Sequence, residues 1–275
     1  MTSPSLQTDT TPPVRKSRWT LFAALVLLAA IASLASVPAE IASLSHVQAD
    51  IPWWAPIVAF IFGFIPSVAA VAIGIATSPR TALDVPIIRH LLEQQPRAGR
   101  ITRSIFIPSL LFAIIGFVVV HAFSKWLEPI LMPELAAIMR EQAKDANPIS
   151  PWQLTLLSFA AGVREELVFR FGLMTLFVWG GIRLFRLSNT QPLLLWTANV
   201  LAVIPFALVH LLNATALAIP ITSGLVVAIL FLNGAVGMMC GWLYSRYGLE
   251  SAIIAHTFYD LIQFIVWPFL DRTVI

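Results

Sequence analysis

Residues 154–182 read LTLLSFAAGVREELVFRFGLMTLFVWGGI, an apolar run with Arg164, Glu165, Glu166 and Arg170 inside it. A helix needs roughly 20 apolar residues to cross about 30 Å of hydrocarbon, and this run is long enough. Ionisable side chains are expensive there, so each of the four is a candidate functional residue. The reading of this stretch as a membrane span decides the fold, and the rest of the chain agrees with it.

Six more apolar runs surround it, at Trp19–Val37, Trp53–Ala76, Ile105–Phe123, Leu193–Leu212, Ile221–Tyr244 and Ala252–Phe269. They are continuous rather than alternating, which excludes a β-barrel pattern. Of the 275 residues, 58% are hydrophobic and only 11% charged, where a soluble domain carries about 25% charged residues. Mean hydropathy is +0.84. Disorder is excluded by the same composition, and a disulfide scaffold by the single Cys240. Seventeen Lys and Arg against fourteen acids form no polybasic block, so no nucleic-acid partner is expected. The expected fold is an all-α polytopic transmembrane bundle of about seven helices, or eight if a further segment crosses. Residues 1–18 read as a polar, disordered tail, 19–150 as N-terminal spans with interfacial loops, and 151–270 as the bundle that carries the chemistry.

Basic residues set the expected orientation. Arg15, Lys16 and Arg18 precede the first run, which reads as a retained span rather than a signal peptide. The loop Pro38–Pro52 has Glu40 and Asp50 and no Lys or Arg. Ser78–Ser104 carries Arg80, Arg89, Arg97, Arg100 and Arg103; Ser124–Trp152 mixes Lys125, Arg140 and Lys144 with four acids. Arg183, Arg186 and Arg246 fall on the same side as the first cluster. An integral protein of the cytoplasmic (inner) membrane, with its N-terminus in the cytoplasm, is expected. Ser78–Ser104 reads as an interfacial segment and Glu134–Lys144 as a short amphipathic helix on the outer surface.

The remaining ionisable residues lie inside spans. His210 follows Phe206 by four residues, and His256 and Asp260 are also four apart. That spacing places each pair on one helix face. Glu166 and Arg170 share this spacing and can pair, either as structural glue or in support of a site. Glu165, rotated by about 100°, can face a cavity. Arg164 reads as a counter-charge, and His121 as an interfacial residue at the end of the third span. Glu165, His210, His256 and Asp260, once converged, could activate a water and stabilise an oxyanion. They could equally hold a divalent metal such as Zn2+ through Glu165, His210 and His256. There is no HExxH, and a water activated by glutamate without a tightly bound metal is the favoured reading.

Glu165-Glu166-xxx-Arg170, Phe206-xxx-His210 and His256-xxx-Asp260 resemble, in order and type, the three motifs of the CPBP family. These are the CAAX prenyl protease 2-like and bacteriocin-processing intramembrane proteases, also called the Abi family. The match covers roughly Leu154–Phe269. The resemblance implies an intramembrane endopeptidase acting on a peptide or membrane-protein substrate within the lipid bilayer. It implies Glu165 as the base that activates water, His210 as a residue holding that water, and His256 with Asp260 on the oxyanion side. Glu166 and Arg170 would support the first motif. The last position is often Asn in the family and is Asp here. Nothing in the sequence encodes a prenylated substrate. A non-catalytic binding or immunity protein on the same scaffold, and a proton-coupled transporter, are the competing expectations.

Overall fold

The computed structural model describes residues 18–45, 50–93, 98–131, 149–216 and 219–270. The expected N-terminal tail and the Glu134–Lys144 helix lie outside the described residues. Among the described residues, seven helices are long and apolar enough to cross a membrane. α1 is Arg18–Ser45, α2 Ala55–Thr77, α3 Pro86–Leu92 and α4 Ala98–Leu131. The fourth span, Pro151–Leu184, is composite: α5 (Pro151–Glu165), a π-helical segment (Glu166–Met174) and α6 (Thr175–Leu184). Then follow α7 (Pro192–Ala216), α8 (Ser223–Tyr247) and α9 (Leu249–Leu261). α9 leads into a second π-helical segment (Ile262–Val266) and α10 (Trp267–Leu270).

Several helices run beyond the expected boundaries. The first span does not stop at Val37: α1 runs through Pro38 to Ser45. A proline inside a helix removes one i→i−4 hydrogen bond and normally ends the helix. Here tertiary contacts hold the extra turns, because Ala39 is fully buried and the Gln153 side chain donates to the Pro38 carbonyl at 3.1 Å. Glu40 therefore sits on a helix in the bundle, not in a loop. The last span begins at Leu249 rather than Ala252. α7 also continues to Ala216 past Pro205 without interruption, so no break is needed to place His210.

Apolar packing fills the centre, with Leu25, Val71, Leu167, Phe171, Cys240 and Tyr244 fully or almost fully buried. Phe62, Leu193 and Phe269 are among the large apolar side chains left outside. With hydrocarbon as the surrounding solvent, that exposure carries no penalty.

A strap crosses one end of the bundle. The short 3-10 turn Ser78–Arg80 and α3 lie between the second and third spans. Leu83 and Val85 are buried under it. The Leu249 amide donates to the Asp84 carbonyl at 3.0 Å, the Ile88 amide to Glu250 Oε1 at 2.8 Å, and the Ala82 amide to Thr190 Oγ1 at 3.2 Å. Gly248, at φ 95°, makes the turn into α9 in a conformation that L side chains avoid. A side chain there would strike Pro86 of the strap. The segment Ser78–Ser104 contains α3, which with its flanks is bonded to the start of α9 and to Thr190 in the connection before α7.

Close helix approach brings the fourth and seventh spans together at Gly162. A Cβ at this position would meet Thr257 Oγ1 and two backbone atoms of α9, the Thr257 nitrogen at 2.9 Å and the Ile253 carbonyl oxygen at 3.1 Å. Backbone cannot swing aside, so Gly162→Ala is expected to push the helices apart and cost about 1–3 kcal/mol. Gly180→Ala, which meets nothing within 4 Å, is expected to be neutral or slightly stabilising. Thermal unfolding in detergent distinguishes the two.

Candidate active site

The site grows from the switch between helix types in the fourth span. Glu165 is the last α-helical residue and Glu166 the first π-helical one. π-helical turns are rare and concentrate at functional sites. Here the two neighbouring carboxylates diverge. Glu166 turns into the core and is fully buried, while Glu165 lines a cavity. Thr175 closes the wide turn, its hydroxyl donating to the Arg170 carbonyl at 3.1 Å.

Glu166 is held from two sides. Its Oε2 lies 3.1 Å from Arg170 Nε, and its Oε1 lies 2.8 Å from His256 Nδ1. Arg170, also buried, donates from Nη2 to the Gly237 carbonyl at 2.8 Å and lies over the Phe206 ring at 4.6 Å. The expected Glu166–Arg170 pair is therefore present. The bond from Glu166 to His256 was not expected from sequence, because it joins residues 90 positions apart. An ionised carboxylate only accepts hydrogen bonds. Nδ1 of His256 is then the donor, which turns Nε2 toward the cavity.

Two further carboxyls face that nitrogen. Glu165 Oε2 and Asp260 Oδ2 each lie 3.8 Å from His256 Nε2. These distances are too long for direct hydrogen bonds but leave room for a small molecule to join the three groups. Glu165 Oε2 has no hydrogen-bond partner among the described residues. Asp260 does not orient His256, since Glu166 already occupies Nδ1. His210 is oriented by its own helix: its Nδ1 lies 2.9 Å from the Phe206 carbonyl oxygen. A carbonyl only accepts, so neutral His210 carries its proton on Nδ1 and offers a lone pair at Nε2. The Phe206 ring stands between the imidazoles, 5.1 Å from His210 and 6.1 Å from His256 by centroid.

A cavity of about 880 Å³ gathers Glu165, His210, His256 and Asp260 in its wall. The first three spans, which carry no motif, also contribute: Glu40, Trp54, Phe62 and His121 are among the lining residues. Arg164 is a counter-charge as expected, and its partner is Glu40, 2.9 Å from Nη1, with Ser36 Oγ equally close. His121 stacks on Phe117 and meets the Trp267 ring at a tilt of 54°, with centroids 4.2 Å apart. It lines the cavity wall. The aromatic residues near it in sequence were the available signal.

The potential metal ligands differ from those expected. Among the described residues, Glu166, Cys240 and His256 bring donor atoms within 4.8 Å of one another, rather than Glu165, His210 and His256. That set fits a catalytic metal poorly. Glu166 already has one oxygen on His256 and the other beside Arg170. Glu166 and Cys240 are both fully buried, which leaves no open position for the water that a catalytic metal must carry.

The described helices form a membrane-type bundle in which acids and imidazoles converge on an internal cavity. Residues 147–262 match the family model described as type II CAAX prenyl endopeptidase Rce1-like. No curated protein and no solved structure matches the chain.

Removing Arg170 leaves Glu166 as an unpaired charge in a dry core. Arg170→Met is expected to cost about 3–5 kcal/mol. Adding Glu166→Gln in the same chain should restore part of that stability. Both are read from thermal unfolding in detergent.

Proposed function

We propose that the protein is an intramembrane endopeptidase that hydrolyses a peptide bond with a water activated by Glu165 and His210, on a peptide or membrane-protein substrate. The observation that carries this reading is the convergence of Glu165, His210, His256 and Asp260 on one cavity. The chemistry resides in residues 151–270, and the first three spans supply wall to the substrate side.

The water is held between Glu165 Oε2 and the free Nε2 of His210. Glu165 removes one proton as the water oxygen attacks the scissile carbonyl carbon. The carbonyl oxygen becomes an oxyanion, stabilised by donors aimed at it. His256, its Nδ1–H held by the Glu166 carboxylate, supplies Nε2–H in its imidazolium form. Asp260, as the neutral acid, supplies an O–H. The tetrahedral intermediate collapses, the C–N bond breaks, and Glu165 passes its proton to the leaving amine. One peptide and one water become a carboxyl and an amine terminus.

Glu165 is partly exposed to the cavity and contributes little to packing. Glu165→Gln and His210→Ala are expected to insert and fold normally and to lose about 10²–10⁴-fold of cleavage. Full cleavage in both variants would exclude the reading, and a Glu165→Gln chain with undiminished biological activity would favour the non-catalytic binding or immunity protein. Asp260→Asn, which keeps a donor, should retain cleavage, whereas Asp260→Ala should lose it. Loss in both would assign Asp260 a role as carboxylate.

A further inference from the structure

The cavity belongs to one end of the bundle. Its wall takes Ser43 and Leu44 from the last turn of α1, Trp54 from just before α2, and His121 from the second half of α4. It takes Asn213 from the last turn of α7 and Phe264 from beyond α9. Successive spans alternate in direction, so all of these positions lie at the same end. Several rim side chains are open to the surroundings: Phe62 is 77% exposed, Trp54 48% and Phe264 40%.

The other end is closed and basic. The strap covers it, with Leu83 and Val85 buried beneath and hydrogen bonds to Leu249, Glu250 and Thr190. Arg18, Arg80, Arg89, Arg183, Arg186 and Arg246 all stand at this end, joined in sequence by Arg15 and Lys16. The cavity end has Glu40 and Asp50 and no Lys or Arg in its first connection, and Lys125, Arg140 and Lys144 against four acids in its second. An excess of Lys and Arg in short connections marks the cytoplasmic side.

We infer that the catalytic cavity opens toward the outer half of the membrane and is sealed from the cytoplasm, so that its substrates are polypeptide segments reaching the bilayer from the extracytoplasmic side. This rests on the proteolytic reading for the word substrate, and on topology alone for the direction. A polypeptide terminus modified in the cytoplasm does not meet this mouth. The exposed rim, formed by apolar and aromatic residues of α1, α2 and the segment after α9, suits lateral entry of a membrane-embedded segment.

The chain supplies its own control for the test, because its single cysteine, Cys240, is fully buried. Ser43→Cys places a thiol in the cavity wall, and Ser188→Cys places one in the exposed turn at the strap end. The full-length variants are expressed in the cytoplasmic membrane of bacterial cells and treated with a charged, membrane-impermeant maleimide. The expected result is labelling of Ser43→Cys in intact cells, labelling of Ser188→Cys only after permeabilisation, and none of the parent chain. Failure of Ser43→Cys to react from outside, or reaction of Ser188→Cys from outside, overturns the inference. The readout needs no protease activity, so it stays separate from the Glu165 and His210 variants, which test the chemistry.

Discussion

The arrangement depends on one buried carboxylate. Glu166 joins Arg170 of its own helix to His256 of the last span. A charge in a low-dielectric interior survives only when it is paired and hydrogen-bonded. The requirement acts in both directions. It anchors the fourth span to the seventh, and it fixes which imidazole nitrogen of His256 faces the cavity. Arg170 extends the connection to the sixth span through the Gly237 carbonyl and to the fifth through Phe206. The three spans that present the reactive groups, together with the sixth, are thereby registered by a single cluster. Whether such a cluster adds net stability matters less than its specificity, because alternative registers would strand a charge.

Packing makes that cluster possible. Gly162 lets the backbones of the fourth and seventh spans meet. The change from α to π winding at Glu166 then sends two sequence neighbours to different surroundings, one in the dry core and one in the cavity. A second π-helical segment starts at Ile262, two residues beyond Asp260. Both departures from regular winding adjoin residues with proposed chemical roles.

Much of this was legible in the sequence because the bilayer filters composition. Seven apolar runs stand out, and so do the few ionisable residues placed within them. The i,i+4 spacing of Glu166 with Arg170 and of His256 with Asp260 carried directly into shared faces. What was not legible has physical reasons. Winding with π geometry has no periodicity of its own to read. The Glu166–His256 bond is a long-range contact that no local rule supplies. Pro38 was a local stop signal overridden by tertiary support from Gln153, which hid Glu40 as the partner of Arg164.

The strap at Ser78–Leu92 has a mechanical consequence. It rivets the turns between helices at one end of the bundle, through backbone groups of Leu249 and Ile88 and the side chains of Glu250 and Thr190. A bundle riveted at one end behaves like tongs: breathing of the spans has its smallest amplitude at the rivet and grows with distance from it. Among the described residues, the half that holds the cavity has no comparable strap. Widening for a bulky chain then becomes a splaying of helix tips, with the hinge built from ordinary backbone hydrogen bonds far from the reacting groups.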